Sequence, residues 1–397
     1  MIGPALFWLG LSVLGFTFGG FPLGLLALAR CRPRPYTTGD EQPMLSVIIA
    51  AHNEQDVIAA KIANVFDSDY PTDRIELIVA SDGSTDATVA TARAAALRFD
   101  RGIGPAAIHI LDLPRSGKAG ALNAAVARSG AAVLVFTDAN SMLEPDAIRE
   151  LVRPLCDERV GGVAGNQVYA TGGAAAGERT HWSFDRRLKE AATRSGSIVS
   201  ATGALYAIRR ELVGPVINGV TDDFYISTGV VAAGRRLVFA PRAVAVEPVA
   251  TSADREFDRK VRIMTRGFEA VLQRRALLDP RVHGVYAVQL FVYKVLRRLT
   301  VVPLVMVLLG AVLCRKRCAL YRVAAIGQLA LWLAGAVGHV FRRHRITRHP
   351  VFALPAFVVG AAVASVRAAL ATLRRQPVVV WDTARQQTLD QSGSPAQ

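Results

Sequence analysis

Between residues 45 and 137 four short apolar runs alternate with helix-like stretches, and the acidic and amide side chains gather where the runs end. The runs cover 45–51, 75–81, 108–111 and 132–137, and the helical stretches begin near Glu54, Asp86, Gly120 and Pro145. Strands separated by helices lie in one sheet as parallel βαβ units with both faces covered. That accounts for runs that are apolar throughout rather than alternating. The second helix opens with Ser84-Thr85-Asp86 capping chemistry and the fourth has Pro145 at its first turn. The loops after such strands open at the carboxyl edge of the sheet, where open α/β sheets bind ligands. Three acidic signatures fall at or near such loops: Ser81-Asp82-Gly83-Ser84-Thr85-Asp86, Thr137-Asp138-Ala139-Asn140 and Thr221-Asp222-Asp223.

The chain as a whole is too apolar for an ordinary soluble enzyme, with 51% hydrophobic residues and a mean hydropathy of +0.29. The net charge of +15 is unevenly placed: residues 1–250 carry 24 basic and 25 acidic side chains, residues 251–397 carry 23 and 7. Lys and Arg that flank apolar spans mark cytoplasmic ends and anionic headgroups, so the charge calls for membrane lipids as partners and not for nucleic acid. Residues 1–29 hold no charge and precede Arg30, Arg32 and Arg34, which reads as an uncleaved anchor over 1–30 with the following domain in the cytoplasm. Three further spans are expected at 295–313, 323–341 and 351–366. An odd number of later spans puts the C-terminus outside, whereas Arg374, Arg375 and Arg385 favour the inside; a re-entrant 350–355 segment reconciles the two. Cys31, Cys156, Cys314 and Cys318 are scattered and imply neither a zinc site nor a disulfide framework.

The expected organisation is an anchor at 1–30, a catalytic domain at 44–270, an interfacial segment at 271–298, membrane helices at 299–371 and a polar tail at 372–397. Within the catalytic domain, strands are expected at 160–173, 204–208 and 236–247. Helices are expected at 178–194 and 222–233, and an amphipathic Arg- and Lys-rich helix at 255–272 should lie at the membrane surface.

The chemistry sits in the loops. Asn53 and Glu54 end the first strand and place an amide and a carboxylate where a nucleoside can lie; taken alone this is a common strand-to-helix turn. Asp82 can accept from a base N–H, against the plainer reading of an Asx-turn before a helix. Asp138 and Asn140 form a D-x-D-like pair that presents hard oxygen ligands to one divalent cation, Mg²⁺ or Mn²⁺, with Asn140 the weaker ligand. Lys118, in Ser116-Gly117-Lys118-Ala119-Gly120, opens a helix, so its ammonium and the helix N-terminus can both face phosphate. Ala119 stands where a Walker A loop needs Ser or Thr, and no G-x-G-x-x-G follows the first strand, which weakens ATPase and dehydrogenase readings. Asp222 and Asp223 complement a helix dipole, and beside a metal site a second carboxylate can serve as general base. Arg259, Lys260 and Arg262 can hold a diphosphate or simply meet headgroups. His52, His181 and Trp182 read as ordinary packing.

Taken in order, Ala51-His52-Asn53-Glu54, Ser81 to Asp86, Gly117 to Asn123, Thr137 to Asn140, Thr202-Gly203-Ala204-Leu205-Tyr206-Ala207-Ile208-Arg209-Arg210 and Thr221 to Asp223 resemble membrane-bound family 2 glycosyltransferases. The resemblance implies an α/β GT-A (Rossmann-like) fold with a mostly parallel sheet and terminal transmembrane helices. It implies an inverting reaction, a nucleotide-diphosphate sugar donor, usually a UDP-sugar, and a divalent metal; the few spans and the cytoplasmic domain expected above favour a lipid-linked or growing glycan acceptor at the cytoplasmic face of the cell membrane. By position it assigns Asp82 to the uracil, Asp138 to the metal, Asp223 to the base, and Gly203 and Ala204 to the acceptor side. The processive members of that family carry Q-x-x-R-W. Here Arg259-Lys260-Val261-Arg262-Ile263 keeps the Arg and lacks the Gln and the Trp, which favours transfer of one or a few sugars. A processive polysaccharide synthase and a catalytically inactive scaffold that keeps the fold are the alternatives.

Overall fold

The computed structural model describes residues 2–99, 108–169, 176–248, 253–341 and 349–374. The side chains of 176–183, 253–260 and a few positions between 339 and 357 are outside that description, and with them His181, Trp182, Arg259 and Lys260. The chain begins with helices α1 (Ile2–Gly15) and α2 (Phe21–Cys31). There follow β1 (Leu45–Ala51), α3 (Ile58–Phe66), β2 (Ile75–Asp82), α4 (Thr88–Ala96), β3 (Ile108–Leu113), α5 (Lys118–Arg128), β4 (Val133–Phe136), β5 (Met142–Leu143) and α6 (Ala147–Val152). Beyond them lie β6 (Val160–Tyr169), α7 (Ala176–Ser195), β7 (Tyr206–Arg209), α8 (Asp222–Ala232) and β8 (Arg236–Glu247). The helices α9 (Ala253–Gln273), α10 (Pro280–His283), α11 (Val285–Phe291), α12 (Val301–Cys314), α13 (Ala319–Val340) and α14 (Pro350–Leu373) complete the chain.

The chain divides into two compact units, one built on Leu26–Thr251 and the other joining Met1–Leu25 to Ser252–Val378. The first holds one eight-stranded sheet in the order β3-β2-β1-β4-β7-β6-β8-β5. From β3 to β4 every pairing is parallel; β7 then runs antiparallel to β4 and to β6, β6 and β8 are parallel, and β5 pairs antiparallel with β8. Every residue of β1 and β2 is buried, as helices on both faces require. The core runs from Leu45, Val47, Ile49, Ile75, Leu77 and Val79 to Val133, Val163, Ala207 and Val238, with Ile58, Ile62 and Val65 of α3 laid on one face. The reversal at β7 matters for the site. Phe136, at the carboxyl end of β4, pairs with Tyr206, at the amino end of β7, so the segment entering β7 stands beside the loop leaving β4.

In the second unit α1 packs on α12, α12 on α13, α13 on α14 and α14 on α9. Among the described residues two helices are long and apolar enough to cross a membrane, Ile2–Cys31 and Ala319–Gly338; Val285–Leu296 and Val301–Cys314 form a pair bent by 69°. The expected span at 351–366 falls in α14, a continuous 24-residue helix with Pro355 inside it. The amphipathic helix expected at 255–272 is α9, and it groups with the apolar helices.

A strap of irregular chain between α2 and β1 is fixed to the sheet unit by polar contacts. Thr37 N donates to Asp157 Oδ2 at 3.1 Å, Gly39 N to the Arg153 carbonyl at 3.1 Å, and the Arg236 guanidinium lies over the Tyr36 ring at 5.6 Å. The Arg159 side chain donates to both Asp157 oxygens, at 3.0 and 2.6 Å, and holds that carboxyl well below the usual carboxylate range. A carboxyl depressed in the folded state stabilises fully above its unfolded value near 4 and loses that contribution as pH falls towards its folded value. Melting temperatures of the wild type and Asp157→Asn should therefore differ by a constant amount from pH 5 to 7 and converge below about pH 4. A gap that persists unchanged at pH 3 would remove Asp157 from the account of the strap.

Candidate active site

Four strands, β1 to β4, deliver loops to one edge. The β1 loop carries Asn53 in the left-handed conformation, φ 53°. Its side chain is engaged by the β2 loop, with Oδ1 accepting from Thr85 N at 2.8 Å and Nδ2 donating to Thr85 Oγ1 at 3.2 Å. Glu54 N donates to Thr88 Oγ1 at 2.8 Å, and Asp86 accepts from Thr88 N at 2.9 Å at the start of α4. The Ser-Asp-Gly-Ser-Thr-Asp signature is therefore, in part, a lock between two loops. His52 Nδ1 lies 2.8 Å from the Asp82 carbonyl oxygen, which can only accept, so Nδ1 carries the proton.

Asp82 is wholly enclosed. Oδ1 accepts from Ser116 N at 2.7 Å and Gly117 N at 2.9 Å, and Oδ2 pairs with the Arg115 guanidinium at 3.2 Å. The carboxylate thus orders the loop from β3 to α5, and a base that reached it would have to displace one of these donors. Gly83 serves the same loop. Its φ is 58°, and a Cβ there would lie 2.8 Å from Arg115 N, so the absent side chain admits the protein's own backbone.

That loop delivers Lys118 to the centre of the edge. Its ammonium donates to Asp138 Oδ1 at 2.8 Å and pairs with Asp222 Oδ2 at 3.0 Å, so carboxylates from two separate loops converge on one cation. Burial works against the Lys118 charge, but the carboxylates of Asp138 and Asp222 outweigh it and push its pKa above the ordinary lysine value. The Asp138 and Asp222 side chains keep 32% and 21% of their surface exposed, enough for a ligand to reach them. Gly203 packs against the same carboxylate: a Cβ there would lie 2.6 Å from Asp138 Oδ2. Ala204 is next to it, its carbonyl accepting from Thr137 Oγ1 at 2.7 Å. Asp223 follows Asp222 in the first turn of α8, with Oδ1 accepting from Phe224 N at 2.8 Å.

Sequence reasoning missed several parts of this edge. Tyr206 is buried, stacked on Phe136 with centroids 4.8 Å apart. Its phenol is held well above its ordinary pKa by burial and by the charges of Asp222, Asp223 and Asp138. Asn123 Oδ1 accepts from Val216 N and Nδ2 donates to Val216 O, both at 2.8 Å, which ties α5 to the segment leading into Asp222. Lys61 of α3 is completely buried, donating to Thr137 Oγ1 at 2.9 Å and to the Ser141 carbonyl. Burial lowers its pKa to about 7, against the opposing pull of Asp138 and Glu247. Its one sequence signal is position: with Ile58, Ile62 and Val65 it falls on the apolar face of the helix, where a hydrophobic side chain is expected.

Residues 46–215 match the family described as glycosyl transferase family 2. That stretch is a family 2 glycosyltransferase domain. A probable glycosyltransferase of Bacillus subtilis (strain 168), YdaM, is 31% identical over 175 residues, covering 41% of this chain and 40% of its own. A beta-monoglucosyldiacylglycerol synthase of Nostoc sp. is 27% identical over 232 residues, 54% of this chain and 47% of its own. This chain spans less than half the length of either relative. Among solved structures, the mannosyltransferase PcManGT from Pyrobaculum calidifontis, in complex with GDP-Man and Mn2+, superposes with a TM-score of 0.69 at 22% identity, over 94% of this chain and 99% of that one. The likeness establishes a GT-A fold, with apolar helices at both ends.

The family 2 domain suits a divalent cation in its donor set. Two hard-oxygen carboxylates already converge on a cationic group, the Lys118 ammonium, and both are open to solvent. No group of three or more potential ligands occurs among the described residues, so an ion held by Asp138 would need substrate oxygens and water to complete its coordination. That is the usual mode for Mg²⁺ at a diphosphate. Arg262 lies on α9, in the other unit of the chain.

Two glycines with left-handed backbone give a controlled comparison. A residue with a side chain pays about 1–2 kcal/mol for that conformation. Gly219→Ala, φ 85° with open space around it, should cost no more than this, whereas Gly83→Ala adds a collision with Arg115 worth roughly 1 kcal/mol or more. Urea unfolding of the two variants would measure the difference, and equal losses would remove the Arg115 contact as the reason for Gly83.

Proposed function

We propose that this chain is an inverting glycosyltransferase that moves a sugar from a nucleotide-diphosphate donor, a UDP-sugar in the first instance, to a lipid-linked or growing glycan acceptor at the cytoplasmic face of the cell membrane. The observation that carries the reading is the meeting of Asp138 and Asp222 on Lys118 at the carboxyl edge of the sheet, within 3.0 Å of one ammonium. Such an edge concentrates positive charge for a leaving diphosphate and negative charge for a base within one cleft. The family 2 match over residues 46–215 supports the transferase class. The glucosyldiacylglycerol synthase relative supports a lipid-linked acceptor. The long apolar helices support the membrane setting.

In this scheme Asp223 accepts the proton of an acceptor hydroxyl as the oxygen attacks the anomeric carbon. The bond from that carbon to the diphosphate oxygen breaks on the opposite face, with inversion. Lys118 lies at the N-terminus of α5 between its two carboxylates, and it pairs with the departing diphosphate by exchanging one of those carboxylate contacts for it. Mg²⁺ or Mn²⁺, held by Asp138 with Asn140 as the weaker ligand, would supply Lewis-acid neutralisation of that diphosphate. Asn53, Glu54 and Asp82 border the nucleoside, with Asp82 reaching the base only if Arg115 moves aside. Gly203 and Ala204 face the acceptor. Asp222 holds Lys118 in register and leaves Asp223 as the base. With Ile263 where the processive enzymes carry Trp, the product is one or a few sugars rather than a long chain.

The test is nucleotide release and sugar transfer by the detergent-purified full chain over UDP- and GDP-sugars, with and without Mn²⁺. Metal-dependent release from one donor is expected. Asp223→Asn should lower transfer by about a thousandfold or more, while nucleotide affinity changes less than threefold. Full turnover by Asp223→Asn would overturn the base assignment, and a metal-independent wild type would overturn the role of Asp138. Nucleotide binding without release from any donor, in the presence of membrane lipid and glycan acceptors, would favour the inactive scaffold.

A further inference from the structure

We propose that Lys61 is a positioning residue for the Asp138 turn, acting with Asn64 as a two-point clamp from beneath the active-site edge. The inference rests on the transferase reading for its kinetic consequence, but not for its geometry. Lys61 and Asn64 are one helical turn apart on α3, so both reach the same side. Lys61 Nζ donates to Thr137 Oγ1 at 2.9 Å and to the Ser141 carbonyl, the two residues that bracket Asp138 and Asn140. Asn64 takes the next position: its Oδ1 accepts from Leu143 N at 2.7 Å and its Nδ2 donates to Leu143 O at 2.9 Å.

The clamp extends to the far side of the turn. Thr137 Oγ1, which accepts from Lys61, donates onward to the Ala204 carbonyl at 2.7 Å, and adjacent Gly203 backs onto Asp138 Oδ2. Ser141 Oγ donates to Glu247 Oε1 at 2.8 Å, and Gln167 Nε2 to Glu247 Oε2 at 2.6 Å, so the turn is also moored to β8 and β6. A fully buried ammonium is an expensive way to fill space, since an apolar side chain of similar length packs there without desolvating a charge. Its retention on the apolar stripe of α3 is explained by what its two donated bonds fix. Lys61 touches neither donor nor acceptor in this arrangement, and it acts through the angle at which Asp138 is presented.

Lys61→Met keeps the volume and removes the donors. The full-length variant, compared with wild type and with Asn64→Ala, should melt within a few degrees of wild type, because relief of a buried charge offsets the donors lost to Thr137 and Ser141. Hydrogen exchange at the 139–143 amides should be at least tenfold faster. Mn²⁺ titrated without donor, read by electron paramagnetic resonance, should bind at least tenfold more weakly. At saturating Mn²⁺, kcat should fall at least tenfold while donor KM changes less than twofold. Asn64→Ala should show the same pattern, weaker. Unchanged exchange and Mn²⁺ affinity in Lys61→Met would overturn the proposal. So would a large fall in melting temperature that accompanies every other loss, because it would make Lys61 a general stabiliser. A wild type that binds Mn²⁺ and transfers no sugar would overturn the transferase reading alone, since exchange and Mn²⁺ affinity still judge the clamp.

Discussion

Ionised carboxylates from separate loops repel one another when they share one sheet edge, and the Lys118 ammonium between Asp138 and Asp222 offsets that repulsion. The rest of the edge is arranged to deliver it. Asp82 accepts the backbone N–H groups of Ser116 and Gly117 just before α5, Gly83 allows the β2 loop to touch Arg115, and Asn123 fastens the far side of α5 to the segment ahead of Asp222. Each contact is local and modest. Together they remove the freedom of three loops whose acidic side chains would otherwise repel one another apart.

The topology makes this arrangement possible. A purely parallel sheet would carry every strand's amino end to the opposite edge. The antiparallel β7 brings its amino end beside the carboxyl end of β4, so Gly203 and Ala204 stand against the Asp138 turn. A side chain at Gly203 would collide with an Asp138 oxygen. The reversal in strand direction and the glycine are therefore parts of one solution to fitting a second loop against a carboxylate.

The parallel half of the sheet was legible because its central runs are apolar on both faces, and β1 and β2 match the expected 45–51 and 75–81 to within one residue. β5, two residues long at the sheet edge, carries too little pattern to be read. The acidic signatures set Asp82 and Asp138 at or just past strand ends and Asp222 and Asp223 at a helix start, positions that are visible in any register, and the structure has them there. Their partners were not legible. That Asp82 would be enclosed by the 115–117 loop, and that Lys118 would bridge two carboxylates rather than stand free for phosphate, depends on loop closures tens of residues apart. The expected strand at 160–173 is seen as far as Tyr169, and its remainder is outside the described residues.

The two lysines of this edge illustrate how one residue type acquires opposite properties. Lys118 lies between carboxylates that more than offset its burial, so its proton is held tightly. Lys61 sits below, hydrogen-bonded to a hydroxyl and a carbonyl, and burial dominates over the more distant Asp138 and Glu247. Lys118 stands in a motif loop beside glycines, where a cation is conspicuous, whereas Lys61 occupies a core position of an ordinary amphipathic helix, where a single charge is easily taken for a solvated flank. A lysine on an apolar stripe must either emerge to solvent along its aliphatic stem or find acceptors inside. At α3 the side chain is fully buried, solvent is out of reach, and the acceptors it finds are the two ends of the turn that carries Asp138.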